Sequence, residues 1–280
     1  MAHCVIPEAE AILDKEFPVL DKGFVRLVDY LGGDERVVQA ARVSYGAGTR
    51  SYREDAALID YLLRNRHTSP FEQVVMTFHV KLPIFVARQW IRHRTARVNE
   101  ISARYSVMKD EFYIPPAEDV SLQSTDNKQG RGASLDEGAA EEIRASFQEG
   151  QKSAYGDYSA LIEKGLAREL ARINLPLSLY TEWYWQMDLH NLFHFIELRL
   201  HPHAQKEIRL YAQVLLDIAR TVAPRCCEAF ELHTLGGTSF SRAEMAELRR
   251  RLAASPADAS SSSMEERALE RLEEKLRDES

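Results

Sequence analysis

The stretch VVMTFHVKLPIFVARQWIRHRTARVNEISARYS, residues Val74 to Ser106, decides the reading of this chain. Its first part has a period of two: Val74, Met76, Phe78, Val80 and Leu82 alternate with Val75, Thr77, His79 and Lys81, which predicts a strand with one face on a core. Pro83 follows where proline is tolerated, at the first turn of a helix, and that helix is expected to carry Arg88 and Arg92 on one face. Between Arg88 and Arg104 stand five arginines (Arg88, Arg92, Arg94, Arg97, Arg104) and one acid, Glu100, in a chain of formal net charge -7. A cationic island in an acidic chain points to an anionic ligand. None of the five is lysine, and the guanidinium fork matches phosphate or carboxylate bidentately. Ser102 and Arg104, two apart, would point the same way in extended backbone and hold one ligand between them.

Outward from this stretch, Phe24 to Leu31 reads as a first strand closed by Gly32-Gly33, with Asp34 capping a helix through Val43. Ser51 and Glu54 form a capping-box pattern ahead of Leu58 and Leu62, predicting a helix to Arg66. A second alternating run, Leu177, Leu179, Thr181, Trp183 and Trp185, ends at Asp188, the expected N-cap of a helix to Leu200. Ser121 to Ser134 is polar and reads as a surface loop before a long helix, Glu137 to Lys164. The pattern predicts an α+β fold: a mainly antiparallel sheet flanked by helices in one main domain, residues 1–235, whose first 20 residues read as an extension. Residues 236–280 read as a charged helical or disordered tail, with Arg242 to Leu252 and Met264 to Asp278 dense in Glu and Arg, the serine run Ser260 to Ser263 between them, and only a thin stripe of Leu269, Leu272 and Leu276.

Composition narrows the class. With 280 residues, 45% of them hydrophobic, the chain can bury a sizeable core. No apolar run reaches the length of a membrane span, and Met1 to Leu20 lacks a cationic start followed by an apolar block, so a cytoplasmic protein without membrane partners is expected. The three cysteines, Cys4, Cys226 and Cys227, suggest neither a disulfide framework nor a thiolate metal site. A net acidic chain is a poor candidate for general nucleic-acid binding, and the absence of G-x-G-x-x-G gives a Rossmann flavoprotein no support.

The segment from Arg92 to Ser106, RHRTARVNEISARYS, resembles the RHR-x7-S signature of the flavin-dependent thymidylate synthases. His67-Thr68-Ser69-Pro70-Phe71-Glu72 is similar to that family's H-x-[ST]-P-F-E segment, and Ala87-Arg88-Gln89-Trp90 leads into the signature as it does there. Arg168 to Arg172 with Leu175 to Leu177, the run Asp188 to His194, and Arg199 with His203-Ala204-Gln205 resemble the later blocks in the same order, from about Phe24 to Phe230. Many members carry serine at the position of Arg97. The resemblance implies FAD contacts from Ser69, Arg92, His93, Arg94, Glu100, Asp188, Leu189, His190 and His194. It implies deoxyuridine monophosphate (dUMP) contacts from Arg88, Gln89, Trp90, Ile91, Arg92, Ser102, Ala103, Arg104, Arg172 and Arg199. Catalytic roles fall to Arg199, which would stabilise the ionised N3 of the uracil ring, and to Ser102. It further implies methylenetetrahydrofolate as carbon donor, NADPH as reductant, and a homotetramer with active sites at subunit interfaces.

A second class competes for some of the same residues. His190 and His194, four apart on a helix with Glu197 close by, have zinc-compatible spacing, and His201 and His203 would complete a hydrolase site. Asn191 stands where H-E-x-x-H has its glutamate, so the base that motif requires is missing and no metal is expected.

Overall fold

The computed structural model describes residues 4–43, 52–253 and 266–276, and the chain divides into two compact units, Met1–Leu235 and Gly236–Ser280. In chain order the first unit holds α1 (Pro7–Glu10), β1 (Glu16–Val19), β2 (Gly23–Leu31), α2 (Asp34–Arg42), α3 (Tyr52–Arg64), β3 (Val75–Pro83), α4 (Ile84–Trp90) and β4 (Arg97–Glu100). There follow β5 (Ser121–Gln123), β6 (Arg131–Ser134), α5 (Glu137–Glu163), α6 (Arg168–Ala171), β7 (Tyr180–Asp188), α7 (Leu189–Leu200), α8 (Lys206–Val222) and α9 (Pro224–Phe230). The second unit contains α10 (Arg242–Ala253) and α11 (Glu266–Leu276). The capping pair Ser51 and Glu54 and the serine run Ser260 to Ser263 lie outside the described residues, the side chain of Glu54 included.

The fold is α+β, with a five-stranded sheet in the order β1-β2-β3-β7-β4 in which every pairing is antiparallel. The alternation in β3 does what its period dictates: Met76, Phe78, Val80 and Leu82 are buried in the core, and β7 adds Trp183, Trp185 and Met187 to it. The amphipathic α8 covers this face with Ile208, Tyr211, Leu215, Ile218 and Val222, and α7 adds Leu189, Leu192, Phe195 and Ile196. On the opposite face Lys81 is nearly buried and pairs with Glu111 at 2.8 Å. Gly32 closes β2 with φ of 73°, a conformation glycine reaches without a Cβ clash.

Four expectations change. The first 20 residues are more than an extension, because Glu16–Val19 pairs with β2 as an edge strand and Ala9 and Val19 enter the core. Ser121 to Ser134 is not a plain loop: its ends pair as the β5–β6 hairpin, joined by a turn in which the Gln123 amide donates to the Gly130 carbonyl at 3.0 Å. Asp34 sits inside its helix and not at the cap. Its carboxylate accepts instead from the backbone N–H groups of Arg225 (2.9 Å) and Cys226 (3.0 Å), capping α9, which begins with a proline and has no cap of its own. Finally, α4 stops at Trp90 and the chain turns at Ile91, so Arg92 lies beyond the helix that carries Arg88.

Candidate active site

Trp90 anchors the site from behind. Its ring is 0% exposed and packs on Phe195 at 4.7 Å, Trp185 at 5.2 Å, Trp183 at 5.7 Å and Tyr211 at 5.8 Å between ring centroids. This aromatic cluster fixes the end of α4, and the next residues, Arg92, His93 and Arg94, emerge from it toward α7. Trp90 therefore supports the site and offers no side-chain surface to a substrate. The side chain of Leu189, the first residue of α7, is likewise fully buried in the core.

The α7 start is built as its sequence suggests. Asp188 accepts from the Asn191 backbone N–H at 2.9 Å and from the Asn191 side-chain amide at 2.7 Å, so the helix is capped and Asn191 is oriented by the same carboxylate. Together with the Arg92–Thr95 turn, α7 forms a cleft of about 630 Å³ lined by Arg92, His93, Arg94, Thr95, Asn191, His194, Leu198 and Arg199. The structure thus brings together Arg92, His93, Arg94, His194 and Arg199. Asn191, Thr95 and Leu198 join them without having been singled out as ligand contacts. Asn191 was legible as a missing metalloprotease base, and the helix period that places His194 and Leu198 four apart places Asn191 beside them.

Arg199 lies at the centre of this geometry. Its Nε donates to His93 Nε2 at 3.0 Å, and one of its two terminal nitrogens donates to the Gln89 main-chain carbonyl at 3.3 Å. Burial first, then the positive charge of Arg199 and the nearby His194, push His93 down to about 4 from an ordinary 6.5. His93 is therefore neutral near pH 7 and available as an acceptor. Burial and the neighbouring Arg92 lower Arg199 from its ordinary value as well. Among the described residues none of Arg88, Arg92, Arg94, Arg97 or Arg199 pairs with a carboxylate, which leaves a concentration of positive charge for an anion to neutralise.

The remaining expected residues fall into a second group. Ser102 to Ser106 forms a turn, with Tyr105 and Ser106 N–H groups donating to the Ser102 carbonyl, so Ser102 and Arg104 are not side by side in extended backbone. The Ser102 hydroxyl accepts from the Arg104 N–H at 3.3 Å, and Arg104 pairs with Glu169 at 3.2 Å in the open. Ala103 is buried with Ala171 in a small satellite core, which places this turn near α6 and the exposed Arg172 that follows it. Glu100, on edge strand β4, accepts from the Thr181 hydroxyl at 2.6 Å. Ser69 is exposed in the turn before Phe71, a segment tied to α7 where Leu189 N–H donates to the Val74 carbonyl at 2.8 Å. Arg88 and Ile91 are exposed beside the cleft without lining it.

Among the described residues no group of three or more His, Cys, Asp or Glu side chains is placed to hold a metal ion. His194 instead faces Glu197 at 3.9 Å and the His93 ring at 5.9 Å, while His201 and His203 contact each other past the end of α7. This geometry gives the hydrolase reading no support. No helix among the described residues is long and apolar enough to cross a membrane.

Residues 26–225 match the model of the family described as thymidylate synthase complementing protein, and residues 238–280 match the thymidylate synthase ThyX C-terminal domain. A flavin-dependent thymidylate synthase of Treponema pallidum is 60% identical over 278 residues, covering 99% of this chain and 90% of its own. Another from Thermus thermophilus is 61% identical over 233 residues, covering 83% and 84%. The chain belongs to the flavin-dependent thymidylate synthase family. Among solved structures, the UMP/dUMP methylase PolB of Streptomyces cacaoi bound with 5-Br UMP superposes with a TM-score of 0.71 at 34% identity, covering 77% of this chain and 96% of that one. Family membership accounts for the order of the sequence blocks.

Proposed function

We propose that the protein methylates dUMP to thymidine monophosphate (dTMP), with methylenetetrahydrofolate as carbon donor, NADPH as reductant and FAD bound at the cleft. The observation that carries this reading is Arg199, a half-buried cation held by a neutral imidazole and a carbonyl, with Arg92 and Arg94 beside it and, among the described residues, no acid paired with any of the three. The donor set suits a dinucleotide: guanidinium forks for its phosphates, and a capped helix start with Asn191 for neutral polar atoms. Arg92, His93, Arg94 and His194 would hold FAD, with Ser69, Glu100, Asp188 and His190 at the margins. Bound and reduced, FAD would supply hydride. Arg199 stabilises negative charge developing on the uracil ring, which makes C5 electron-rich. Its neutral partners leave its full charge for that task, where a carboxylate partner would cancel it.

Charge does here what a nucleophilic thiol does in other designs. Cys226 and Cys227 are buried, with thiols pushed well above their ordinary value by burial first and by Asp34 next, and neither lines the cleft. The residues for which substrate contacts are implied, Ser102, Ala103, Arg104 and Arg172, do not line the cleft. That separation, and exposed apolar Ile91, Val98, Ile101, Tyr105 and Val107 along the signature, support a homotetramer in which one subunit's turn completes another's cleft. The protein is proposed to act in the cytoplasm.

The test is the absorbance and metal content of the purified protein after addition of FAD. The reading predicts stoichiometric flavin, released on denaturation, with activity indifferent to chelators. A protein that takes up no FAD, carries one zinc per chain and is inactivated by a chelator would overturn it.

A further inference from the structure

Behind the Arg199 partner Gln89 runs a chain of polar contacts that the reaction itself does not call for. Glu207 is 1% exposed, and its carboxylate takes the Tyr113 hydroxyl at 3.0 Å, the Arg131 guanidinium of the β5–β6 hairpin, and the Gln205 side-chain amide at 2.8 Å. The far end of the Gln205 amide meets the Gln89 side-chain amide. Burial alone would raise Glu207, but the hydrogen bond from Arg131 leads a set of contacts that hold it below its ordinary value, so it is ionised.

An ionised carboxylate only accepts, and this forces the direction of every bond beyond it. The end of Gln205 that faces Glu207 must be its NH2, so the end that faces Gln89 must be its carbonyl oxygen. That oxygen also only accepts, so Gln89 must turn its own NH2 inward. The remaining end of Gln89 is then a carbonyl oxygen, with no partner among the described residues, on the residue whose main-chain oxygen holds Arg199. Without the charge, either amide could flip at little cost.

We propose that Glu207, acting through Gln205, is a positioning residue that fixes the Gln89 amide with its oxygen outward, so that the substrate side presents an acceptor for an N–H or O–H donor of the nucleotide. The inference rests on the reading of this site as one that binds dUMP. A uracil N–H and the deoxyribose 3′-hydroxyl are the two donors dUMP offers. Glu207→Gln removes the charge that sets the direction, and Gln205→Met cuts the chain while leaving Glu207 with Arg131 and Tyr113.

The experiment is calorimetric titration of the FAD-loaded enzyme with dUMP and with its 2′,3′-dideoxy analogue, with thermal melts to show that each variant is folded. Each variant is expected to weaken dUMP binding roughly tenfold, the loss of one hydrogen bond. In a Gln89→Leu background neither should weaken it further, a non-additivity that a merely structural role would not produce. Loss with both ligands identifies the ring donor, and loss with dUMP alone identifies the 3′-hydroxyl. If Glu207→Gln does not fold, Gln205→Met decides. Unchanged dUMP affinity, or losses that add in full to that of Gln89→Leu, would overturn the relay while leaving the function standing. Failure of the wild-type enzyme to bind dUMP would remove both.

Discussion

Arg199 and His93 are a coupled pair, and each has a consequence that can be measured. Arg199→Ala removes the cation while leaving Arg92 and Arg94 in the cleft, so FAD should remain bound while kcat/KM falls by the equivalent of roughly 1.5–3 kcal/mol, the value of a charge-assisted bond. Steady-state kinetics with bound flavin quantified in parallel check this, and loss of the flavin would reassign Arg199 to the cofactor. The pH dependence follows from the low value of His93, about 4 in the folded protein against an ordinary 6.5. Between these values the unfolded chain binds the proton and the folded chain does not, so stability is present above pH 6.5 and is lost as pH falls toward 4. Denaturant midpoints at neutral and mildly acidic pH should therefore converge when His93→Asn removes the titrating ring. An acid-induced loss as large in the variant as in the wild type would contradict the assignment. Because Cys226 and Cys227 are buried away from the cleft, a Cys4→Ala, Cys226→Ala, Cys227→Ala variant that folds should keep its turnover. A loss of more than tenfold, about 1.4 kcal/mol of barrier, would restore a thiol to the mechanism.

At the scale of elements, what was legible depended on whether a residue's partner is near in sequence. The strand around Phe78 and the helix capped by Asp188 are written in local periods and a local cap, and both form where the sequence places them. Asp34 illustrates the opposite case. It reads as the cap of its own helix because nothing local reveals α9, 191 residues away, whose N–H groups it accepts from. The prediction separates the two roles: Asp34→Ala should destabilise the fold by about 1–2 kcal/mol in chemical denaturation, as loss of a cap does. Protection from hydrogen exchange should fall at Arg225 and Cys226, and a loss confined to α2 would favour the local reading. The β5–β6 hairpin was hidden for a similar reason, since Ser121 to Ser134 has no apolar alternation and its Arg131 finds Glu207 across the fold. Trp90 carried a family-wide expectation of substrate contact, but no pattern in the sequence distinguishes a tryptophan that lines a site from one that supports it from behind.

At the scale of the molecule, α8 packs on the antiparallel sheet, and the cleft lies between the turn that follows α4 and helix α7. Family membership was legible because its blocks are short and ordered along the chain. Their division into a cleft group and a separate turn group was not, because that depends on the turn at Ser102 and the burial of Ala103 in the satellite core that also holds Ala171. The central claim is that this cleft supports flavin-dependent methylation of dUMP without a cysteine nucleophile. The most direct measurement is chromatographic detection of dTMP from purified protein incubated with dUMP, methylenetetrahydrofolate and NADPH, with and without FAD. The account predicts dTMP only when FAD is present, and its loss in Arg199→Ala protein that still holds flavin. Formation of dTMP without flavin, or none from flavin-loaded wild-type protein with all substrates supplied, would contradict it.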